Sequence, residues 1–254
     1  MKLLVVVAHP DDETFGTGSL IARAAREGAE VVVCCATRGE LGEAKPGSVP
    51  HGCSLSQVRE GELHEAAALL GARRVRLLDF LDSGWDGDCA TESLVGAELD
   101  LVVRAVHDVI VEEQPDVVVT LDPTGGDGHR DHMRIAEAST LAFDKASVAG
   151  ASLYYWCLVR SVMQRWVAHN SGTVYAEVPD DAFGFPDEQI TTIIDGTDLI
   201  PLRWQAIALH RSQSSPYDGL PDELANAFLG TDRLARARPP WTGGPLETRL
   251  YVKG

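Results

Sequence analysis

The sequence predicts an α/β fold, a Rossmann-like and mostly parallel sheet with helices on both faces, followed by a less regular C-terminal part. Three observations predict it. Short apolar runs rich in β-branched residues recur along the first 160 residues, stretches with helical spacing separate them, and polar residues gather where the runs end. The 254 residues are read as one domain, 1–254, with a core over 1–160 and a C-terminal extension of the same domain over 161–254. A chain of this length can bury a core without disulfide staples, and it shows no linker, repeat or low-complexity block.

The elements follow in order. Lys2–Ala8 reads as a buried strand, Ser19–Glu27 as a helix and Glu30–Ala36 as a second strand, which is the rhythm of a βαβ unit. Leu63, Ala66, Ala67 and Leu70 keep the i, i+3, i+4, i+7 spacing of a helix that ends at Gly71, and Arg74–Phe80 reads as the third strand. Leu99, Val102, Val103, Val106 and Ile110 repeat the helical period until Pro115 stops it; Asp116–Leu121 is then a fourth strand and Asp122–Gly128 a loop. His129–Lys145 reads as a helix and Ser152–Val159 as a fifth strand. Beyond it the candidates are strands at Val174–Val178, Thr191–Ile194 and Thr248–Val252 and a helix at Leu202–Leu209.

Composition narrows the function. Hydrophobic residues make up 44% and charged residues 24%, a globular composition. The 22 basic against 38 acidic residues leave a net charge of −16, and such a surface repels phosphate backbones and anionic lipid, so neither nucleic acid nor a membrane is an expected partner. The opening run Leu3–Ala8 is too short for a secretory signal and meets His9, Asp11 and Asp12. Five cysteines without a C-x-x-C pair indicate reduced thiols and a cytoplasmic home.

In an open parallel sheet ligands bind beyond the carboxyl ends of the strands, where the winding reverses. Gly16 and Gly18 are read as allowing close approach of helix to sheet rather than as a dinucleotide fingerprint, because Ile21 stands where that fingerprint needs glycine. The turn before them, Ala8-His9-Pro10-Asp11-Asp12-Glu13, carries one imidazole and three carboxylates at the end of a buried strand, a density that calls for a cation or a basic partner. Gly128-His129-Arg130-Asp131-His132 sets two imidazoles one turn apart at a helix start. Strands one and four should be neighbours, which brings His9 and Asp12 towards His132. Two imidazoles and a carboxylate suit zinc in an open catalytic site, and the same ligand types serve iron(II) oxygenases, usually on an all-β scaffold.

These two motifs resemble those of the PIG-L/LmbE-like zinc-dependent N-deacetylases. The likeness extends to Thr37-Arg38-Gly39-Glu40, Arg59-Glu60-Gly61-Glu62-Leu63, Asp82-Ser83-Gly84 and His210-Arg211-Ser212-Gln213, and so spans most of the chain. It implies one Zn2+ per chain, with another divalent metal also compatible, held by His9, Asp12 and His132. It implies Asp11 as general base on the activated water, His129 as donor to the developing oxyanion when protonated, and Asp131 as support for His129. It places Arg59 and Asp82 at the rim as substrate-binding residues. Glu13 is read as hydrogen-bonding backbone at the turn, Glu40 is left open, His210 is read as a helix-end charge partner, and Trp85 as either a sugar-stacking ring or packing beneath its loop. Relatives commonly have proline where this chain has Arg130, which is expected to put a charge near the mouth.

The expected activity is hydrolysis of the N-acetyl group of an N-acetylglucosamine-type amino sugar carried on a small molecule. A mycothiol-type conjugate amidase and a non-catalytic metal- or sugar-binding relative are the alternatives. The aglycone, the acyl length and homo-oligomerisation stay open, and the turn-rich segment Gly42–Cys53 is expected to form a lid.

Overall fold

The structure, a computed structural model, describes residues 1–170 and 183–250. Its strands are β1 (Lys2–Val7), β2 (Glu30–Cys35), β3 (Arg74–Leu77), β4 (Val117–Leu121), β5 (Ser152–Trp156), β6 (Thr192–Asp195) and β7 (Thr231–Arg238). They form one sheet in the order β3-β2-β1-β4-β5-β7-β6. The first five are parallel; β7 runs antiparallel to β5, and β6 antiparallel to β7. Burial explains the apolar runs: Leu3–Val7, Val31–Cys35 and Val117–Val119 are all fully enclosed, as strands covered on both faces must be.

The helices are α1 (Asp12–Phe15), α2 (Gly18–Arg26), α3 (Leu55–Leu69), α4 (Leu99–Glu113), α5 (Arg130–Ala146), α6 (Arg160–His169), α7 (Ile200–Ile207) and α8 (Asp222–Leu229). From β1 the chain winds outward through β2 to β3, then crosses back to β4 and β5. Right-handed crossovers therefore put α2 and α3 on one face and α4 and α5 on the other. The reversal falls between β1 and β4, paired from Leu3↔Val117 to Val6↔Thr120. There the turn after β1 meets the loop after β4.

Local signals fix the element ends. A capping box opens α3: Gln57 N–H donates to Ser54 Oγ at 3.3 Å, and Ser54 N–H returns a bond to Gln57 Oε1 at 3.0 Å. Gly71, at φ 92°, supplies the left-handed residue beyond its end. Gln114 adopts φ 47° as α4 stops before Pro115.

The C-terminal part is more regular than its sequence led us to expect. α6 and α8 were not anticipated, nor was β7, which lies inside the sheet between β5 and β6. The Thr191–Ile194 candidate is found as Thr192–Asp195, and the Leu202–Leu209 helix as α7. At Thr248–Val252 no strand forms over 248–250, and Glu247 makes only an isolated bridge to Thr192; residues 251–252, like the whole Val174–Val178 candidate, lie outside the described residues. β3 and β5 stop three residues short of the expected Phe80 and Val159.

Candidate active site

The turn after β1 supplies His9, Asp11 and Asp12; the loop after β4 and the start of α5 supply Asp127, His129, Asp131 and His132; the segment after β3 supplies Asp82. Asp12 binds its own turn, accepting the Ala8 and His9 N–H groups on Oδ2 at 3.1 and 2.8 Å. That carboxylate also lies between two imidazoles, with His9 Nδ1 3.7 Å from Oδ2 and His132 Nε2 3.2 Å from Oδ1. The expected trio is thus brought together.

The far ring nitrogens have partners of their own. His9 Nε2 donates to Asp131 Oδ2 at 3.1 Å and faces Asp82 Oδ1 at 3.6 Å. His132 Nδ1 is 3.0 Å from Asp127 Oδ1 and 3.1 Å from the Gly125 carbonyl. A carboxylate behind each imidazole, fixing the tautomer so that the other nitrogen faces a shared acceptor, is the arrangement of a metal-binding histidine. The donor set of two nitrogens and a carboxylate oxygen fits a divalent ion such as zinc. Asp131 Oδ1 is buried without a hydrogen-bond partner among the described residues, leaving further negative charge to balance.

Electrostatics agree. Burial lowers the affinity of His9 for a proton, but hydrogen bonds to Asp131 and Asp82 and the charge of Asp12 outweigh it, and the imidazole is pushed up to about 9. His132 is likewise disfavoured as a cation by burial, yet Asp12 and Asp127 hold it well above its ordinary value. Burial pushes Asp12 upward, but the two imidazoliums hold it well below the usual carboxylate range. The cluster is built around positive charge, for which protons and a metal ion compete.

His129 can bring a nitrogen within 4.8 Å of His9 and His132, as a rival third ligand. Its ring caps α5 instead, with Nδ1 accepting the Asp131 N–H at 3.1 Å. Burial, with repulsion from His9 and His132, lowers it to about 4. It is a neutral imidazole whose Nε2–H is the remaining donor. Two expectations therefore change. His129 need not be protonated to donate, and the Asp131 carboxylate reaches His129 only through its charge, its hydrogen bonds going to His9 and to the Ser83 N–H at 3.0 Å.

Asp11 occupies a strained backbone position, φ 118° and ψ −29°, rare for a residue with a side chain. Glu13 Oε2 accepts its N–H at 2.9 Å, and Arg59 Nη2 donates to its Oδ2 at 3.0 Å. Burial raises the carboxyl to about 6, against the pull of the Arg59 guanidinium and with the push of Asp12.

Arg59 and Asp82 do not stand at a rim. Arg59 is 3% exposed and also donates to the Gly39 and Pro10 carbonyls at 2.7 and 2.6 Å, which makes it a clamp beneath the turn. Asp82 is buried too, accepting the Gly84 and Leu41 N–H groups. The rim residue is Trp85, 57% exposed and edge-on to His129 at 4.9 Å between ring centres. Arg130 is no loose charge at the mouth, because its guanidinium ties the carbonyls of Ser83, Gly84, Asp86 and Gly87 and so secures the Trp85 loop. The 42–53 segment is fastened by Lys45 N–H donating to the Ser212 carbonyl at 2.8 Å.

Sequence reasoning missed several supports. Asp127 lay in a segment read only as loop. His210, read as a helix-end charge, is buried with Nε2 2.8 Å from Glu13 Oε1. Arg203, fully enclosed, donates to the carbonyls of Thr14, Phe15 and Gly16. Only the His-Arg-Ser-Gln patch had flagged any of them.

Residues 4–143 match the PIG-L family profile, described as GlcNAc-PI de-N-acetylase. The chain is also 34% identical over 247 residues to a 1D-myo-inositol 2-acetamido-2-deoxy-alpha-D-glucopyranoside deacetylase of Kineococcus radiotolerans, covering 84% of this chain and 68% of that one. This chain belongs to the PIG-L family. Solved structures resemble this PIG-L fold at 20% identity: N,N'-diacetylchitobiose deacetylase from Pyrococcus horikoshii, TM-score 0.63, spans 92% of this chain and 83% of its own. The 4-carboxy-2-hydroxymuconate hydratase GalB from Pseudomonas putida, TM-score 0.64, spans 96% and 98%. Since a hydratase shares the PIG-L architecture, the site has to decide the reaction.

Proposed function

We propose that this protein is a metal-dependent hydrolase that removes the N-acetyl group from an N-acetylglucosamine-type amino sugar carried on a small molecule. The observation that carries the reading is Asp11, clamped by Arg59 beside the His9–Asp12–His132 cluster. His9 Nδ1, Asp12 and His132 Nε2 would hold one zinc ion. When bound there, zinc polarises the acyl oxygen and makes a water proton easier to remove. Asp11 takes that proton and returns it to the nitrogen of the departing amine. His129 Nε2–H donates to the acyl oxygen as negative charge develops on it, a role that suits a neutral imidazole fixed by its Nδ1 bond. Asp131 and Asp127 orient His9 and His132. Trp85 offers a ring face to the sugar.

The relative's printed substrate, a 2-acetamido-2-deoxy-glucopyranoside of inositol, supports this substrate class over the conjugate-amidase alternative. No helix among the described residues is long and apolar enough to cross a membrane, and five free cysteines, three of them buried, suit a reducing cytoplasm.

The test is acetate release from N-acetylglucosaminyl-inositol and related conjugates by zinc-loaded protein, beside two variants. Asp11→Ala is expected to keep zinc and lose turnover, whereas His132→Ala loses both. Equal zinc loss in the two variants would break the assignment, and zinc retention without acetate release by the parent protein would favour a binding-only relative.

A further inference from the structure

A cleft of about 220 Å³ opens directly from Asp12 and His132. Beside Trp85 and the polar side chains of Asp12, Asp122, Asp127 and His132, most of its wall is apolar. Phe15, Trp156, Leu158, Trp166, Tyr217 and Phe228 line it, and the polar ends of Trp156, Trp166 and Tyr217 are already engaged. Trp156 Nε1–H donates to Asp232 Oδ1 at 2.9 Å, Trp166 Nε1–H to the Pro216 carbonyl at 2.9 Å, and Tyr217 O–H to the Phe15 carbonyl at 2.6 Å. What these three residues present to the cleft is ring surface. A sugar or cyclitol lodged there would lose water from its hydroxyls and find few partners, whereas an aliphatic group would gain by leaving water.

We infer that this cleft is an acyl subsite, and that the enzyme accepts and prefers linear N-acyl chains longer than acetyl. The inference rests on the hydrolase reading above and names its acyl group. Position selects the acyl side: the acyl chain begins one bond from the reacting carbonyl carbon, while the aglycone is separated from it by a ring bearing hydroxyls. An apolar wall starting at Asp12 and His132 therefore meets the acyl chain first. Size agrees, since a dry cavity of about 150 Å³ holds a benzene ring, so the cleft takes several methylenes where acetyl offers one methyl. The reaction is unchanged: water adds across the amide, the C–N bond breaks, its oxygen stays with the fatty carboxylate and the amine leaves with the proton.

The test uses zinc-loaded full-length protein and two substrate series. One holds glucosaminyl-inositol constant and varies the N-acyl group from acetyl through butanoyl and hexanoyl to octanoyl. The other keeps N-acetyl and lengthens an alkyl glycoside. We expect kcat/KM in the acyl series to rise at least about twofold per methylene, against about fourfold for complete burial of each, and the glycoside series to stay flat. Leu158→Trp, which fills the cleft, should flatten the acyl slope. A kcat/KM for release of the free amine that falls or stays level as the acyl chain grows overturns the acyl subsite while leaving the hydrolase reading standing; a rise confined to the glycoside series overturns it in favour of an apolar aglycone. If no substrate turns over, the hydrolase reading fails, and calorimetry on metal-free protein still decides the subsite. N-octanoylated ligand binding at least about tenfold more tightly than N-acetylated supports it, and equal affinity overturns it.

Discussion

Asp11 is the residue on which the chemistry turns, and its environment shows why the neighbouring Asp12 cannot replace it. Asp12 is committed to the Ala8 and His9 N–H groups and to two imidazoles, whereas Asp11 meets a single guanidinium. Asp11→Asn should lower kcat by about 10²- to 10⁴-fold, the usual worth of a general base, with zinc content unchanged by metal analysis. Arg59→Met frees the carboxylate and should cost on the order of 10²-fold in kcat through misplacement, again without loss of zinc; a change in KM alone would return Arg59 to a substrate-binding role. The residues His9, Asp12 and His132 were legible because strand ends and helix spacing place them. The burial of Arg59 and Asp82 was not, because a motif gives a residue's neighbours in sequence and not its depth.

Two longer elements hold this turn in place. Glu13 bridges the Asp11 backbone to His210, just beyond α7, and Arg203 of α7 ties the carbonyls that follow. Burial lowers the His210 value, but the charge and hydrogen bond of Glu13, with Asp11 and Glu62 nearby, raise it above the ordinary 6.5. A histidine whose folded value is raised gives its full stability below the unfolded value and loses it as pH rises through the folded one. Urea unfolding should therefore show stability declining from about pH 6.5 upward, and His210→Gln should remove that part of the slope. On the opposite side of the site, Arg130→Ala cuts the ties to the 83–87 loop; hydrogen exchange in that loop should quicken, and KM for the sugar should rise about three- to tenfold, the worth of about one hydrogen bond, while zinc content holds. These clamps were hidden from sequence because each spans elements far apart in the chain.

For the whole molecule, the alternation of runs and helices was enough to foresee a parallel sheet, and with it the meeting of the turn after β1 and the loop after β4. β7 escaped because Thr231–Arg238 carries an aspartate and three arginines and lacks the continuous apolar run that marks the first strands. In the structure those charges find partners, with Arg238 on Asp144, Arg236 on Glu247 and Arg233 on the Ala227 carbonyl. A site crowded with carboxylates should also tie folding to metal: zinc at 100 times its dissociation constant adds about 2.7 kcal/mol, a rise of several degrees in melting temperature that a chelator reverses and His132→Ala abolishes.

The bridge from Glu13 to His210 spans 197 positions. A nascent chain leaving the ribosome has every proposed ligand and the Arg59 clamp once residue 132 emerges, yet the turn that holds Asp11 lacks its Glu13–His210 bridge until residue 210 follows. A prematurely terminated chain of about the length of the 4–143 family match would carry the proposed ligands and Arg59 without the His210 support behind the Asp11 turn.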